Sequence, residues 1–384
     1  MAYQSWDTRA EASAATSVWT GKIDLKCQLQ VQNNLGSEID ITVNAFSESK
    51  QQLIQETWDK EASILSPNPS LLNSHASLQF TPKYFLLTGL PGLETLYPWF
   101  VFPFCTMYLV ALVGNSLILT VIKKNTSLHQ PMYLFLAMLA FAELGVSAST
   151  LPTVLGIFLF GANEICFEAC LLQMFSIHSF SIMESGVLLA MSVDRFVAIY
   201  NPLRYTAILT LPRIAGSAAV LGLKSVTLMF PLPFLLKHLP FCGHNVLSHS
   251  YCLHSDLIQL PCGNTRPNSI LGLCIVTSTF GLDSLLIVIS YMLILYTVLG
   301  ISSGEGRRKA LGTCVSHMCA VLVYYVPMIS VALVHRFVKQ AAPAVRLFLA
   351  NVYLLVPPVL NPIIYSVKTK QIRQGLIRLF LQRK

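Results

Sequence analysis

Apolar residues in the second part of the chain are gathered into long stretches that short polar segments separate. Seven such stretches follow residue 96: 97–122, 131–158, 167–199, 212–236, 268–300, 309–335 and 344–366. Each is long enough to cross about 30 Å of hydrocarbon as a helix. Because apolar and polar residues do not alternate within them, the pattern predicts membrane helices and not the strands of a barrel.

The chain divides into three parts. Residues 1–96 contain neither a spanning stretch nor a signal peptide, and we expect a mostly disordered N-terminal tail there. Residues 97–366 form a seven-helix domain. Residues 367–384 are basic and carry apolar residues such as Ile372 and Leu376 on one helical face, which is typical of an amphipathic helix lying on a membrane surface.

Composition excludes a soluble domain. Hydrophobic residues make up 54% of the chain and charged residues only 11%, against about 25% charged in an ordinary soluble domain. The net charge of +8 is compatible with a nucleic-acid partner. The basic residues, however, lie between the apolar stretches, so the charge indicates membrane lipid and no nucleic acid.

The distribution of Lys and Arg predicts the orientation. They are concentrated in the connections on one side of the membrane, and the positive-inside rule places that side in the cytoplasm. Seven spans then put the N terminus outside the cell. The outer connections contain five cysteines in an oxidising compartment, and their spacing alone does not decide how they pair. They are Cys166, Cys170, Cys242, Cys252 and Cys262.

Three histidines lie among these cysteines in the longest outer connection. They are His244, His249 and His254. A metal site is therefore an alternative to disulfide bonds, although the spacing is poor for zinc.

Six of the predicted helices carry a short motif, either within the helix or at one of its ends. The motifs are Gly114-Asn115, Leu128–Leu139, Met191–Tyr205, Ser290–Leu295, Lys309–Met318 and Pro357–Ser366. Together they resemble the olfactory receptors, a group of rhodopsin-like G-protein-coupled receptors. The segment Phe85–Glu94 resembles the class I, fish-like branch and its family 51. The resemblance covers about residues 80–384.

The resemblance implies a two-state switch at the cytoplasmic edge of the third span. Asp194 and Arg195 would pair in one state and separate in the other. The alternative for Arg195 is an ordinary positive-inside charge with a capping acid. In the seventh span, Asn361, Pro362 and Tyr365 would form the second part of the switch, because Pro362 removes a backbone donor.

The resemblance also implies two disulfides, Cys170–Cys252 and Cys242–Cys262, that hold the outer connection over the bundle. It leaves Cys166 without an assigned partner.

Four charged residues lie within the spans, where charges are costly and usually functional. Glu143 and Glu184 resemble a sodium pocket, and the alternative is a protonated, hydrogen-bonded pair. Lys224 and Asp283 could pair across neighbouring spans. Counting residues from the span ends, however, separates them by about 10 Å in depth, so we do not predict this pair.

The predicted ligand pocket opens outward beneath the second outer connection. Its candidate residues come from the third to sixth spans and from that connection. They are His178, Ser181, Ile182, Met229, Leu232, His254, Ser255, Val276, Ile329, Ala332 and Arg336. Arg336 can bind a carboxylate with two hydrogen bonds, or it can simply reach to the membrane surface. The first alternative predicts a small, partly apolar carboxylic acid as the ligand.

The resemblance implies a plasma-membrane odorant receptor that activates a stimulatory heterotrimeric G protein and raises cAMP. No catalytic constellation is present, and we expect neither an enzyme nor a cofactor other than sodium. Two alternatives remain open. A receptor-like protein retained in the endoplasmic reticulum is one, since the outer segments lack an N-x-S/T glycosylation site. A channel or transporter is the other, but it requires a continuous polar path.

Overall fold

The computed structural model describes residues 82–89, 97–241, 243, 245–337 and 343–381. Apart from residues 82–89, the predicted tail lies outside the described residues, as do Cys242 and His244.

Seven long helices and a shorter one form the bundle. They are α1 (Tyr97–Lys124), α2 (Pro131–Phe160), α3 (Phe167–Tyr200), α4 (Leu211–Lys237), α5 (Arg266–Leu299), α6 (Gly304–Phe337), α7 (Pro343–Lys368) and α8 (Lys370–Leu381). Six of them are long and apolar enough to cross a membrane. The seventh, α3, has 34 residues and carries several charges.

The bundle is arranged around α3, which packs against α2, α4, α5 and α6. Its residues Ile177, Val187 and Leu188 are completely buried. A central helix can carry charged residues because its neighbours supply partners for them. This central position is consistent with the two buried acids of α3, Glu184 and Asp194.

The predicted start of the sixth span at residue 309 is wrong, since α6 begins at Gly304. Ser303 precedes the helix, and its Oγ accepts a hydrogen bond from the backbone N–H of Gly306 at 3.2 Å. Hydrophobicity marks where a helix enters lipid, whereas capping decides where it begins.

A small sheet covers one end of the bundle, which we call the sheet end. Its strands are β1 (Tyr84–Leu87), β2 (Glu164–Cys166) and β3 (Val246–Leu247), in the order β2-β1-β3. β1 runs antiparallel to β2 and parallel to β3. The sequence analysis assigned residues 84–96 to the tail, but the compact unit begins at Tyr84, because β1 is the central strand of this sheet.

The opposite end, which we call the basic end, carries the α3–α4 connection, the start of α6 and helix α8. Ile372 of α8 is completely buried, and a Cβ added to Gly375 would lie 2.4 Å from Val121 of α1. The prediction of an amphipathic C-terminal helix is confirmed, and its apolar face packs against α1 at the basic end.

Helices α1 and α7 approach closely where α7 contains prolines. Pro362 has no N–H, which leaves the carbonyl of Pro358 without its helical donor. Asn115 of α1 supplies the missing donor, at 3.0 Å from Nδ2 to the Pro358 oxygen. A Cβ at Gly114 would lie 3.0 Å from Pro362, so the glycine allows the two helices to approach closely at this crossing.

Candidate ligand and signalling sites

The long connection at the sheet end is tied to α3 by a disulfide. Cys170 and Cys252 are bonded, with their Cα atoms 5.5 Å apart, which is the pairing that the resemblance implies. Cys262 is also disulfide-bonded, and so is Cys166, for which no partner was assigned. Because Cys242 lies outside the described residues, the Cys242–Cys262 pair stays a prediction.

Gln173, one turn below Cys170, reinforces this attachment. Its Oε1 accepts the N–H of Cys252 at 2.8 Å, and its Nε2 donates to the backbone oxygen of Ser149 at 2.8 Å and to Thr153 at 3.0 Å. One buried amide therefore joins the connection, α3 and α2. The connection is held over the bundle as a lid.

A polar cluster lies directly under this lid. The backbone N–H of His254 donates to Nε2 of His178 at 3.4 Å, and Nε2 of His254 lies 2.7 Å from Oδ1 of Asn268 in the first turn of α5. Since that amide oxygen can only accept, Nε2 of His254 carries the proton. Nδ2 of Asn268 is buried and has no hydrogen-bond partner.

Burial lowers the pKa of His254, and the hydrogen bond to Asn268 opposes this effect only in part. The imidazole is therefore neutral at neutral pH. Its ring occupies space that Gly272 of α5 leaves open, because a Cβ at that position would lie 2.7 Å from the His254 ring.

Among the described residues, the two lid histidines, His249 and His254, have separate partners. His254 binds Asn268, whereas Nδ1 of His249 lies 2.5 Å from Oδ2 of Asp256. Among the described residues, no three His, Cys, Asp or Glu side chains are grouped so that they could hold a metal ion. The metal alternative has no support in this part of the chain.

Below the cluster, a polar network joins four helices inside the bundle. Ser185 of α3 donates to Asp283 of α5 at 2.9 Å and lies 2.8 Å from the hydroxyl of Tyr325 of α6. Nζ of Lys224 in α4 lies 3.4 Å from Asp283. The predicted separation of about 10 Å in depth between these two residues is wrong, because helices tilt in the membrane and a lysine side chain is long.

The two predicted acids lie deeper, and both are buried. Asn361 of α7 donates to Glu143. Several oxygens at this level have no hydrogen-bond donor in the structure. They belong to Asn115, Glu143, Glu184 and Asn361.

At the basic end, Asp194 is bound by two partners. Nε of Arg195 donates to it at 2.9 Å, and the hydroxyl of Tyr205, in the α3–α4 connection, donates to its other oxygen at 2.7 Å. Burial raises the pKa of Tyr205, and the negative charge of Asp194 raises it further. Tyr205 therefore remains a protonated donor to Asp194, beside the Asp194–Arg195 pair.

A second contact joins the inner halves of three helices. Nε2 of His317 in α6 lies 3.0 Å from the backbone oxygen of Leu188 in α3, so it must donate. Nδ1 then accepts from the hydroxyl of Tyr291 in α5 at 2.5 Å. A movement of α6 away from α3 would break the hydrogen bond between His317 and Leu188.

A cavity of about 470 Å³ opens between these helices at the basic end. Arg195 and Tyr365 line it, together with Lys309 at the start of α6 and Lys368 and Lys370 at the α7–α8 junction. The Asp194–Arg195 pair thus lies beside a basic cavity.

Comparison with known proteins identifies the group to which this architecture belongs. The family model described as olfactory receptor matches residues 104–383. The chain belongs to the olfactory receptor family. Human olfactory receptor 51I1 is 55% identical over 301 residues, covering 78% of this chain and 96% of that protein. Human olfactory receptor 51G2 is 55% identical over 312 residues, covering 81% and 98%.

Membership confirms the predicted fold, a seven-helix rhodopsin-like receptor in the membrane. Olfactory receptors detect odorants through G-protein signalling and are not enzymes. The sheet-end cluster is accordingly the candidate odorant site of the receptor, and the basic-end cavity is the candidate G-protein site.

The predicted pocket residues of the receptor have different environments in the structure. His178 and His254 are in contact, while Ile182, Met229 and Leu232 are buried in the hydrophobic core. The backbone oxygen of Ser181 accepts from Tyr324 at 2.5 Å. Three further candidates are partly buried: Ser255, Val276 and Ala332. Arg336 lies near the end of α6, and its side chain is outside the described residues.

Ile329 does not belong to the pocket. It is 45% exposed and follows Leu322 and Val326 on one exposed stripe of α6. This stripe faces lipid. Met328, which is almost completely buried in the core, takes the inward position that the sequence analysis assigned to Ile329.

Sequence reasoning missed several polar residues that complete these sites. They are Gln173, Asn268, Tyr205 and Tyr291. A polar residue inside an apolar stretch was the available signal for Gln173. Tyr205 stands within the quoted motif Met191–Tyr205, but its partner Asp194 is recognisable only in the folded chain.

Proposed function

We propose that the receptor binds a small, partly apolar carboxylic acid under the lid. The buried, unpartnered Nδ2 of Asn268 is the observation that carries this proposal. A donor that is buried without an acceptor costs free energy until a ligand supplies one. The oxygens of a carboxylate are strong acceptors, and buried Met229 and Leu232 offer apolar contact for its chain.

Arg336 is proposed as the charged partner of the same carboxylate. It lies in the last turn of α6, and a guanidinium group can bind a carboxylate with two hydrogen bonds. Asn268 and Arg336 would then bind the head group from two helices.

The receptor is proposed to lie in the plasma membrane with its N terminus outside the cell. The basic end carries Lys309, Lys368 and Lys370, which the positive-inside rule places in the cytoplasm. There the cavity is accessible to a G protein, and we propose a stimulatory one that raises cAMP.

Sodium is proposed as a bound ion at Glu143 and Glu184. The unpartnered oxygens at this level, on Asn115 and Asn361 as well as on the two acids, are hard donors of the kind that alkali and alkaline-earth ions prefer. When bound, sodium would offset one negative charge of the two acids and hold α2 against α3.

The test measures cAMP in intact cells that express the full chain and are gated for surface-labelled protein. The probes are short carboxylic acids and the matching alcohols. We expect a response to the acids only, which Asn268→Leu and Arg336→Ala weaken and Arg336→Lys partly restores. Asn264→Leu, close by on the outer connection, is the matched control.

A response to the alcohols alone, or an acid response that neither substitution alters, contradicts the proposed ligand class. The surface label separates these outcomes from retention in the endoplasmic reticulum, which gives no label at all.

A further inference from the structure

The cavity at the basic end has an unbalanced charge. Lys309, Lys368 and Lys370 all line it, and none of them forms an ion pair with a described residue. Among the described residues, no acidic side chain lines this cavity, and Asp194 beside it is occupied by Arg195. Three uncompensated ammonium groups around one concave site create a positive potential that attracts anions.

Two helix N-termini add to this potential. The cavity wall includes Gln130 and Tyr133 from the start of α2, and Thr369 and Gln371 from the start of α8. The side chain of Gln130 makes no capping hydrogen bond to α2. Backbone N–H groups at helix starts carry partial positive charge and bind phosphate readily.

A third feature points to a ligand independently of charge. Tyr365 lines the cavity, is 2% exposed, and its hydroxyl has no hydrogen-bond partner. A buried hydroxyl without a partner is uncommon, and an acceptor from a ligand would satisfy it.

We propose that this cavity binds a polyphosphorylated inositol, either as a soluble molecule or as the headgroup of a membrane lipid. Several phosphates on one ring can reach the lysines of α6, α7 and α8, the two helix starts and the Tyr365 hydroxyl together. A single carboxylate or phosphate would leave most of these donors unpaired. The proposal concerns the basic end alone and does not depend on the ligand under the lid.

The test uses the full receptor in nanodiscs of phosphatidylcholine. In one arm, calorimetry measures binding of inositol hexakisphosphate from solution. In the other, phosphatidylinositol bisphosphate is incorporated in the disc, and native mass spectrometry counts the lipids retained by each receptor. Binding in the first arm supports a soluble ligand, and retention only in the second supports a lipid headgroup. Binding in neither arm overturns the proposal.

Substitutions distinguish this site from general attraction to a basic surface. We expect Lys309→Gln, Lys368→Gln and Lys370→Gln each to weaken binding about fivefold. Tyr365→Phe, which leaves the charge unchanged, should also weaken it about fivefold. Two basic residues outside the cavity wall, Lys124 and Arg378, provide matched controls as glutamine variants. An equal loss in the controls overturns the proposal.

Discussion

Single polar side chains buried in apolar surroundings decide the chemistry of this receptor, and each depends on a partner from another element. Asp194 is 1% exposed and accepts from Arg195 and Tyr205. Asn115 is equally buried and donates to the carbonyl that Pro362 leaves free. Burial without such a partner would cost several kcal/mol, so the positions of these residues and the packing of the helices determine each other.

Tyr205→Phe should raise signalling in the absence of ligand. It removes one donor from Asp194 while the Arg195 pair remains, which destabilises the paired state by about 1 kcal/mol. We expect basal cAMP to rise about fivefold at equal surface expression. Tyr200→Phe is the control, since Tyr200 lies at the same helix end and is largely exposed. Unchanged basal cAMP in the Tyr205 variant would show that this hydroxyl does not hold the switch.

Gly272→Ala should reduce odorant potency without reducing surface expression. The new Cβ lies 2.7 Å from the His254 ring, so the ring must move away from Asn268. Gly216→Ala is the matched control, because a Cβ there meets nothing within 4 Å. Ligand dose–response curves measure the effect, and identical curves for both variants would contradict it.

At the scale of elements, apolar length predicted the helices because it is a local property. The seven predicted spans are confirmed within a few residues, except at the start of α6. The strand β1 was not predicted, since four residues between polar segments carry little signal until β2 and β3 supply their hydrogen bonds. Contacts between side chains of different helices could not be predicted from the sequence either, and the Lys224–Asp283 ion pair is an example.

The Lys224–Asp283 pair should couple α4 to α5. Lys224→Met leaves Asp283 buried without its counter-charge, and we expect it to lower the free energy of unfolding by about 3 kcal/mol. Asp283→Asn should cost less, because Lys224 is about one third exposed and can reach water or headgroups. Thermal unfolding of both single variants and the double variant measures the coupling, expected at about 1 kcal/mol. Additive effects would show that the two charges do not interact.

At the scale of the whole molecule, the bundle is closed at one end by the lid and open at the other through the basic cavity. The lid is held by the Cys170–Cys252 disulfide, by Gln173 and by β3. The opposite end has no comparable cover among the described residues, and its lining is basic. This asymmetry is what a receptor needs if it encloses a small ligand at one end and admits a protein at the other.

The stability of the molecule should depend on pH through His254. Its pKa is lower in the folded receptor than the ordinary value of 6.5, so below about pH 6.5 the unfolded chain binds a proton that the folded chain does not. The folded state therefore loses stability as the pH falls from 6.5, and His254→Gln should reduce this loss. Melting temperatures measured from about pH 7.5 to about pH 5 report this loss of stability. His238→Gln, an exposed histidine at the same end, is the control and should keep the full dependence.

The sequence by itself determined the number, type and approximate limits of the helices, and its motifs identified the family, because hydrophobic length and short motifs are local along the chain. Tertiary structure alone decided which partners Asp194, Asp283 and Asn268 have, that Ile329 faces outward, and that residues 84–87 belong to the fold. These outcomes depend on helix rotation, on tilt and on contacts between residues far apart in the chain. Successive residues of a helix are rotated by about 100°, so a shift of one residue can move a side chain from the interior to the lipid.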